Sequence, residues 1–168
     1  MRLIALIFCL IISLFTQAQE LDSVAIKAIV QHIENTEELD STFHDWSQLT
    51  GVVTDGGAEL ISWRKNGEVV KVFQQVGLSF GRLTTTIYLQ DSNPIMAIET
   101  EENFGIDDQG EIDYTSLKVV YQEISFYYKE EPAQSGEYDL DYRRIGKRVH
   151  SEQYCTTYEL LYPLELIK

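Results

Sequence analysis

From residue 58 onward apolar side chains recur at every second position, and that alternation constrains the fold more than anything else in the chain. A period of two turns one side of a pleated strand toward a core and the other toward water. Asn66-Gly67 interrupts the pattern between segments 58–65 and 68–76. Asn-Gly suits a type I′ turn, whose central residues both need positive φ, so the two segments predict a β-hairpin. Segments 82–90 and 95–100 flank Asp91-Ser-Asn-Pro94 and predict a second hairpin. Pro94 falls at a strand start, where no ladder donor is needed.

Residues 101–116 are polar and contain glycine, which reads as a loop. Segment 118–129 predicts a long strand with Val120, Ile124, Phe126 and Tyr128 on one face. Tyr138, Leu140 and Tyr142 then alternate with Asp139, Asp141 and Arg143, the period of a half-buried strand. In 153–162 either a helix or a strand fits, and Thr156-Thr157 with Pro163 favours the strand.

Ahead of the strands, Ala25, Ile26, Ile29, Val30 and Ile33 recur at helical spacing behind a capping residue, Asp22 or Ser23. Glu37, Glu38, Asp40 and Asp45 follow and read as a solvated connector. Trp63 alternates in beside Ile61 as a core residue, and Trp46 is weighed as packing too. The expected fold class is α+β: one N-terminal helix packed on a curled, mostly antiparallel meander of six to seven strands.

The first 18 residues read as a signal peptide. Arg2 opens it, an apolar run spans 3–15, and Thr16-Gln17-Ala18 offers small residues for cleavage after Ala18. Residues 19–168 then form a single domain, and no later segment is apolar enough to span a membrane. Removing Arg2 from the 13 bases leaves 12 against 27 acids, a formal net charge of −15. Such a surface repels nucleic-acid phosphate and anionic lipid, which argues against both as partners. Cys9 leaves with the signal, so Cys155 stands alone and reads as a small buried residue rather than half of a disulfide. The expected setting is secreted or periplasmic.

Two clusters stand out as candidate sites. Arg143, Arg144, Lys147 and Arg148 reverse the local sign of an acidic protein, and with Tyr138 and Tyr142 they form a candidate ligand- or partner-binding surface. Internal pairing with nearby carboxylates is the simpler reading. Between Glu99 and Asp113 lie seven carboxylates in 15 residues without a base. Asp107, Asp108, Glu111 and Asp113, beside Gly105 and Gly110, are the candidate ligands for a hard cation such as Ca²⁺. Their spacing matches no EF-hand, and a solvated loop is the simpler reading. Aromatic rows, with nine of the ten tyrosines from Tyr114 onward, read as cross-strand packing.

Catalytic signals are sparse. His32, His44 and His150 are too scattered for zinc spacing, and His44-Asp45 is an adjacent pair with no nucleophile elbow. The sequence holds no phosphate loop or dinucleotide fingerprint, and no cofactor is expected.

At residues 61–71 (I-S-W-R-K-N-G-E-V-V-K) and 84–96 (T-T-T-I-Y-L-Q-D-S-N-P-I-M) the chain resembles small exported helix-plus-β-meander proteins of Bacteroidota. The signal ending Thr-Gln-Ala-Gln is similar to theirs. The resemblance implies a periplasmic or secreted setting and carries no catalytic residues with it. The expected function is a non-enzymatic exported binding or interaction domain. A carrier enclosing a small apolar ligand in a barrel-like cavity is the alternative, and a hydrolase using paired carboxylates the third reading.

Overall fold

The computed structural model describes residues 22–128 and 139–146. The elements run α1 (Ser23–Glu34), β1 (Asp40–His44), α2 (Trp46–Thr50), β2 (Ala58–Lys65), β3 (Glu68–Leu78), β4 (Gly81–Gln90), β5 (Asn93–Ile106), β6 (Ile112–Tyr128) and β7 (Asp139–Gly146). The seven strands form one antiparallel sheet in chain order, β1 through β7, and it does not close on itself. The α+β architecture expected from alternation is therefore the one found.

Turn chemistry sets the register. Asn66 and Gly67 both hold positive φ, 53° and 87°, as a two-residue turn between β2 and β3 requires. Asp91 and Ser92 do the same without glycine, at 50° and 62°. Pro94 stands second in β5 opposite Leu89, and the register slips at Tyr88/Leu89, so Ile95 has no partner of its own.

Each face of the sheet carries its own apolar cluster. Asp22 caps α1, its Oδ1 accepting from the amides of Val24 (3.0 Å) and Ala25 (2.7 Å). The helix then lays Ile26 and Ile33 against Tyr88, Ile95, Met96 and Phe126. On the other face Leu60, Val72, Val76, Leu83, Ile87, Leu89 and Ala97 pack with Trp46 of α2 and with Tyr127. Full burial of each such large side chain contributes about 1.5–3 kcal/mol.

Polar clasps fix α1 to its face. Glu34 Oε1 accepts from Lys71 Nζ at 2.6 Å and from Tyr88 Oη at 2.5 Å. Lys71 also lies 4.9 Å from the Trp63 ring centre. Burial works against the Glu34 carboxylate, but the bonds from Lys71 and Tyr88, with the Lys71 charge, hold its pKa below the ordinary range. A lowered carboxylate pKa adds stability above the unfolded value and loses it as pH falls through the folded one. Glu34→Gln is therefore expected to cost melting temperature at pH 7, with the gap to the wild type narrowing as pH drops below about 4.3. Thermal melts across pH 3–7 measure it.

Three expectations are corrected. The connector reading of 37–45 gives way to strand β1 and, after it, helix α2. β1 is exposed along most of its length, so pairing with β2, not its own polar composition, holds it extended. The loop reading of 101–116 also fails, because β5 and β6 run on as a ribbon whose turn is confined to 107–111. Phe104 and Tyr114 pack edge-on across it with ring centres 5.0 Å apart, and Asp113 ties Thr115 into a bulge at 114–116. Thirdly, Trp63 is only half-buried, its ring under Lys71, whereas Trp46 is the core tryptophan. Segment 153–162 and Cys155 lie outside the described residues.

Before β2 the chain doubles back on β3. Gly56 N donates to Gly77 O (3.1 Å) and Gly77 N to Gly57 O (2.8 Å), extending the β2–β3 ladder. A Cβ on Gly77 would sit 2.5 Å from Gly56 O and 2.7 Å from its carbonyl carbon, which backbone cannot yield cheaply. Gly77→Ala should destabilise by about 1–3 kcal/mol, read as a shift in the urea midpoint.

Candidate functional site

The basic cluster is divided by the described boundary. Arg143 and Arg144 lie on β7 with Cα partners Ile124 and Glu123, and Tyr142 pairs with Ser125. Tyr138, Lys147 and Arg148 lie outside the described residues.

The acidic candidates do not converge. Among the described residues no three His, Cys, Asp or Glu side chains gather as a metal group. Asp107 Oδ1 instead accepts from the amides of Gln109 (2.8 Å) and Glu111 (2.9 Å), closing the β5–β6 turn. Asp113 Oδ1 accepts from Thr115 N (2.9 Å) and Oγ1 (2.6 Å), and these bonds hold its pKa low. Asp108 and Glu111 are exposed on the same turn. Both bonded carboxylates serve turn geometry.

Carboxylates do approach each other on the face opposite α1. Register sets Thr85, Glu99, Glu123 and Arg144 in one cross-strand row, with Leu83, Glu101 and Tyr121 in another. Glu99 and Glu101 are buried, and Tyr121 Oη donates to Glu123 Oε2 at 2.6 Å. The space beside them, lined by Leu83, Thr85, Glu99, Glu101 and Tyr121, measures about 10 Å³. That admits about one water and no sugar ring.

His44 and Asp45 are not a dyad. His44 Nε2 pairs with Ser62 Oγ at 2.8 Å, and Ser62 is fully buried, out of reach of any substrate. Burial, then the Arg64 charge, lowers the His44 pKa, so the ring is neutral at pH 7. Asp45 caps α2 instead: its Oδ1 accepts from Gln48 N (3.0 Å) and Ser47 Oγ (2.7 Å), which lower its pKa.

A second, wider concavity was not anticipated from sequence. Between the end of β1, α2 and the 52–54 stretch lies an open groove of about 470 Å³, lined by Phe43, His44, Trp46, Val52, Val53 and Ala58 among others. The local sequence builds it. Asp45-Trp-Ser-Gln48 carries the N-cap signature, and Gly51, at φ 72°, ends the helix after five residues. Trp46 thereby turns inward while Val52 and Val53 stay out, at 49% and 88% exposure, across from Phe43 at 70%. The available signals were the cap spacing and a Val-Val pair amid Thr, Gly and Asp.

No family model, curated protein or solved structure matches the chain.

Proposed function

We propose that the chain is a non-enzymatic, exported binding domain whose contact surface is the groove between β1, α2 and residues 52–54. One observation carries the reading: Phe43, Val52 and Val53 expose large apolar area together around a concavity floored by Trp46. Apolar residues scattered singly over a surface are ordinary, whereas several gathered at a concave site mark recognition. Export rests on the leader-like residues 1–18.

The carrier reading has less support. It needs strands closed around a cavity, and the sheet is open, with Leu60, Val72, Leu83 and Ile87 filling one face. Paired carboxylates acting as a hydrolase lack room, since the space at Glu99 and Glu101 is water-sized.

The test is photo-crosslinking in the native host. A benzoyl-phenylalanine placed at Val53 should give a discrete adduct that the same group at exposed Asp108, on the far ribbon, does not. Adducts at Asp108 alone, or none at Val53, would contradict the reading.

A further inference from the structure

Strand β1 ends the sheet as described, paired to β2 along one side through Asp40↔Arg64 to His44↔Leu60. In an antiparallel pair each strand spends only alternate amides and carbonyls on its neighbour, so β1 turns the rest outward. Proteins commonly protect such an edge with lysine, proline or a covering segment. β1 carries no lysine or proline, and Asp40 through Phe43 are all exposed. The groove begins where this edge ends, at Phe43 and His44.

Charge selects the occupant. From Ala28 to Trp63 the sequence has no Lys or Arg and seven acids (Glu34, Glu37, Glu38, Asp40, Asp45, Asp55 and Glu59), and the bases that follow, Arg64 opposite Asp40 and Lys65 beside His32, lie on the β2 side of β1. Glu37, Glu38, Asp40, Asp45 and Asp55 are exposed around β1 and the groove. A second copy added edge to edge antiparallel would bring Asp40 of one strand toward Asp45 of the other, like charge against like. A basic strand meets the opposite condition.

We infer, resting on the binding reading above, that β1 accepts an extended, lysine- or arginine-rich peptide segment as an eighth strand, with an apolar side chain of that segment seated between Phe43 and Val53. Main-chain hydrogen bonds would hold the peptide and the groove would select its side chain, as in strand addition generally. Five residues of β1 span about 17 Å, which matches a segment of five to seven residues.

The probe is the capped heptapeptide KVKFKVK, titrated into the full mature chain and followed by amide NMR. Binding is expected with shifts centred on Asp40–His44 and new exchange protection there. It should weaken at least tenfold in Phe43→Asp and in the triple variant Glu37→Lys, Glu38→Lys, Asp40→Lys. All four positions are exposed, so these variants are expected to stay folded, and dispersed spectra check that. The acidic counterpart EVEFEVE should not bind. No binding, shifts confined elsewhere, equal binding of EVEFEVE, or concentration-dependent β1 protection without peptide (a second copy as occupant) would each overturn the inference. If KVKFKVK fails while Val53 still yields its crosslinked adduct, strand addition falls and the binding reading stands. If both fail, both fall.

Discussion

Trp46→Ala is expected to destabilise the protein by about 3–5 kcal/mol, a drop of roughly 10–15 °C in melting temperature for a domain near this size. Trp46 is 9% exposed and joins the cluster of Leu60, Val72, Ile87 and Leu89, so truncation opens a cavity between α2 and the sheet. Partly buried Leu49 also packs the short helix on this cluster. Five residues cannot sustain a helix by propensity, and its caps contribute about 1 kcal/mol each. Loss of the groove should accompany loss of stability. Trp46→Phe separates the two effects. Trp46 Nε1 is buried without a hydrogen-bond partner among the described residues, so phenylalanine removes an unsatisfied donor while keeping most of the packing. That variant should lie within about 1.5 kcal/mol of the wild type and retain the groove. Chemical denaturation of both variants measures the difference.

Phe126→Ala is the corresponding change on the opposite face, with an expected cost of about 3–5 kcal/mol. Phe126 is 2% exposed and sits among Ile26, Ile33, Tyr88 and Met96, with Lys27 Nζ 5.5 Å above its ring. The cavity would open under α1, leaving Ile26 and Ile33 on Tyr88, Ile95 and Met96, together with the Glu34 clasp to Lys71 and Tyr88, to hold the helix. Because Phe126 and Trp46 belong to clusters on different faces, the double variant should show the sum of the two losses to within about 0.5 kcal/mol. Strong non-additivity would mean that the faces are not independent cores.

Alternation read β3 and most of β4 closely because those strands lie mid-sheet, where Val72, Gln74 and Val76 and then Leu83, Thr85 and Ile87 are buried at every second position. In β2, by contrast, Leu60, Ile61 and Ser62 are buried in succession, and the hairpin turn located the strand. β1 escaped notice because an exposed edge strand has no buried face to imprint its sequence. The 101–116 stretch was misread for a related reason. Glu99, Glu101 and Glu102 look solvated as letters, yet two of them are buried on the sheet and Glu102 accepts from Arg82 Nε across strands. Composition cannot distinguish a carboxylate paired within a sheet from one in a loop. The candidate groove was hidden by distance: Phe43, Trp46 and Val53 come together only because Asp45 starts a helix that Gly51 ends. Those caps were visible in sequence, but their consequence depends on where β2 returns.

Amide hydrogen exchange across β1 bears most directly on the idea that this edge is open for a partner. With one side paired to β2 and the other without a strand partner among the described residues, alternate amides in Asp40–His44 should exchange slowly and the intervening ones orders of magnitude faster, while β3 and β4 are protected throughout. Uniform slow exchange along all five residues in the free monomer would show that the edge is already covered, and would contradict it.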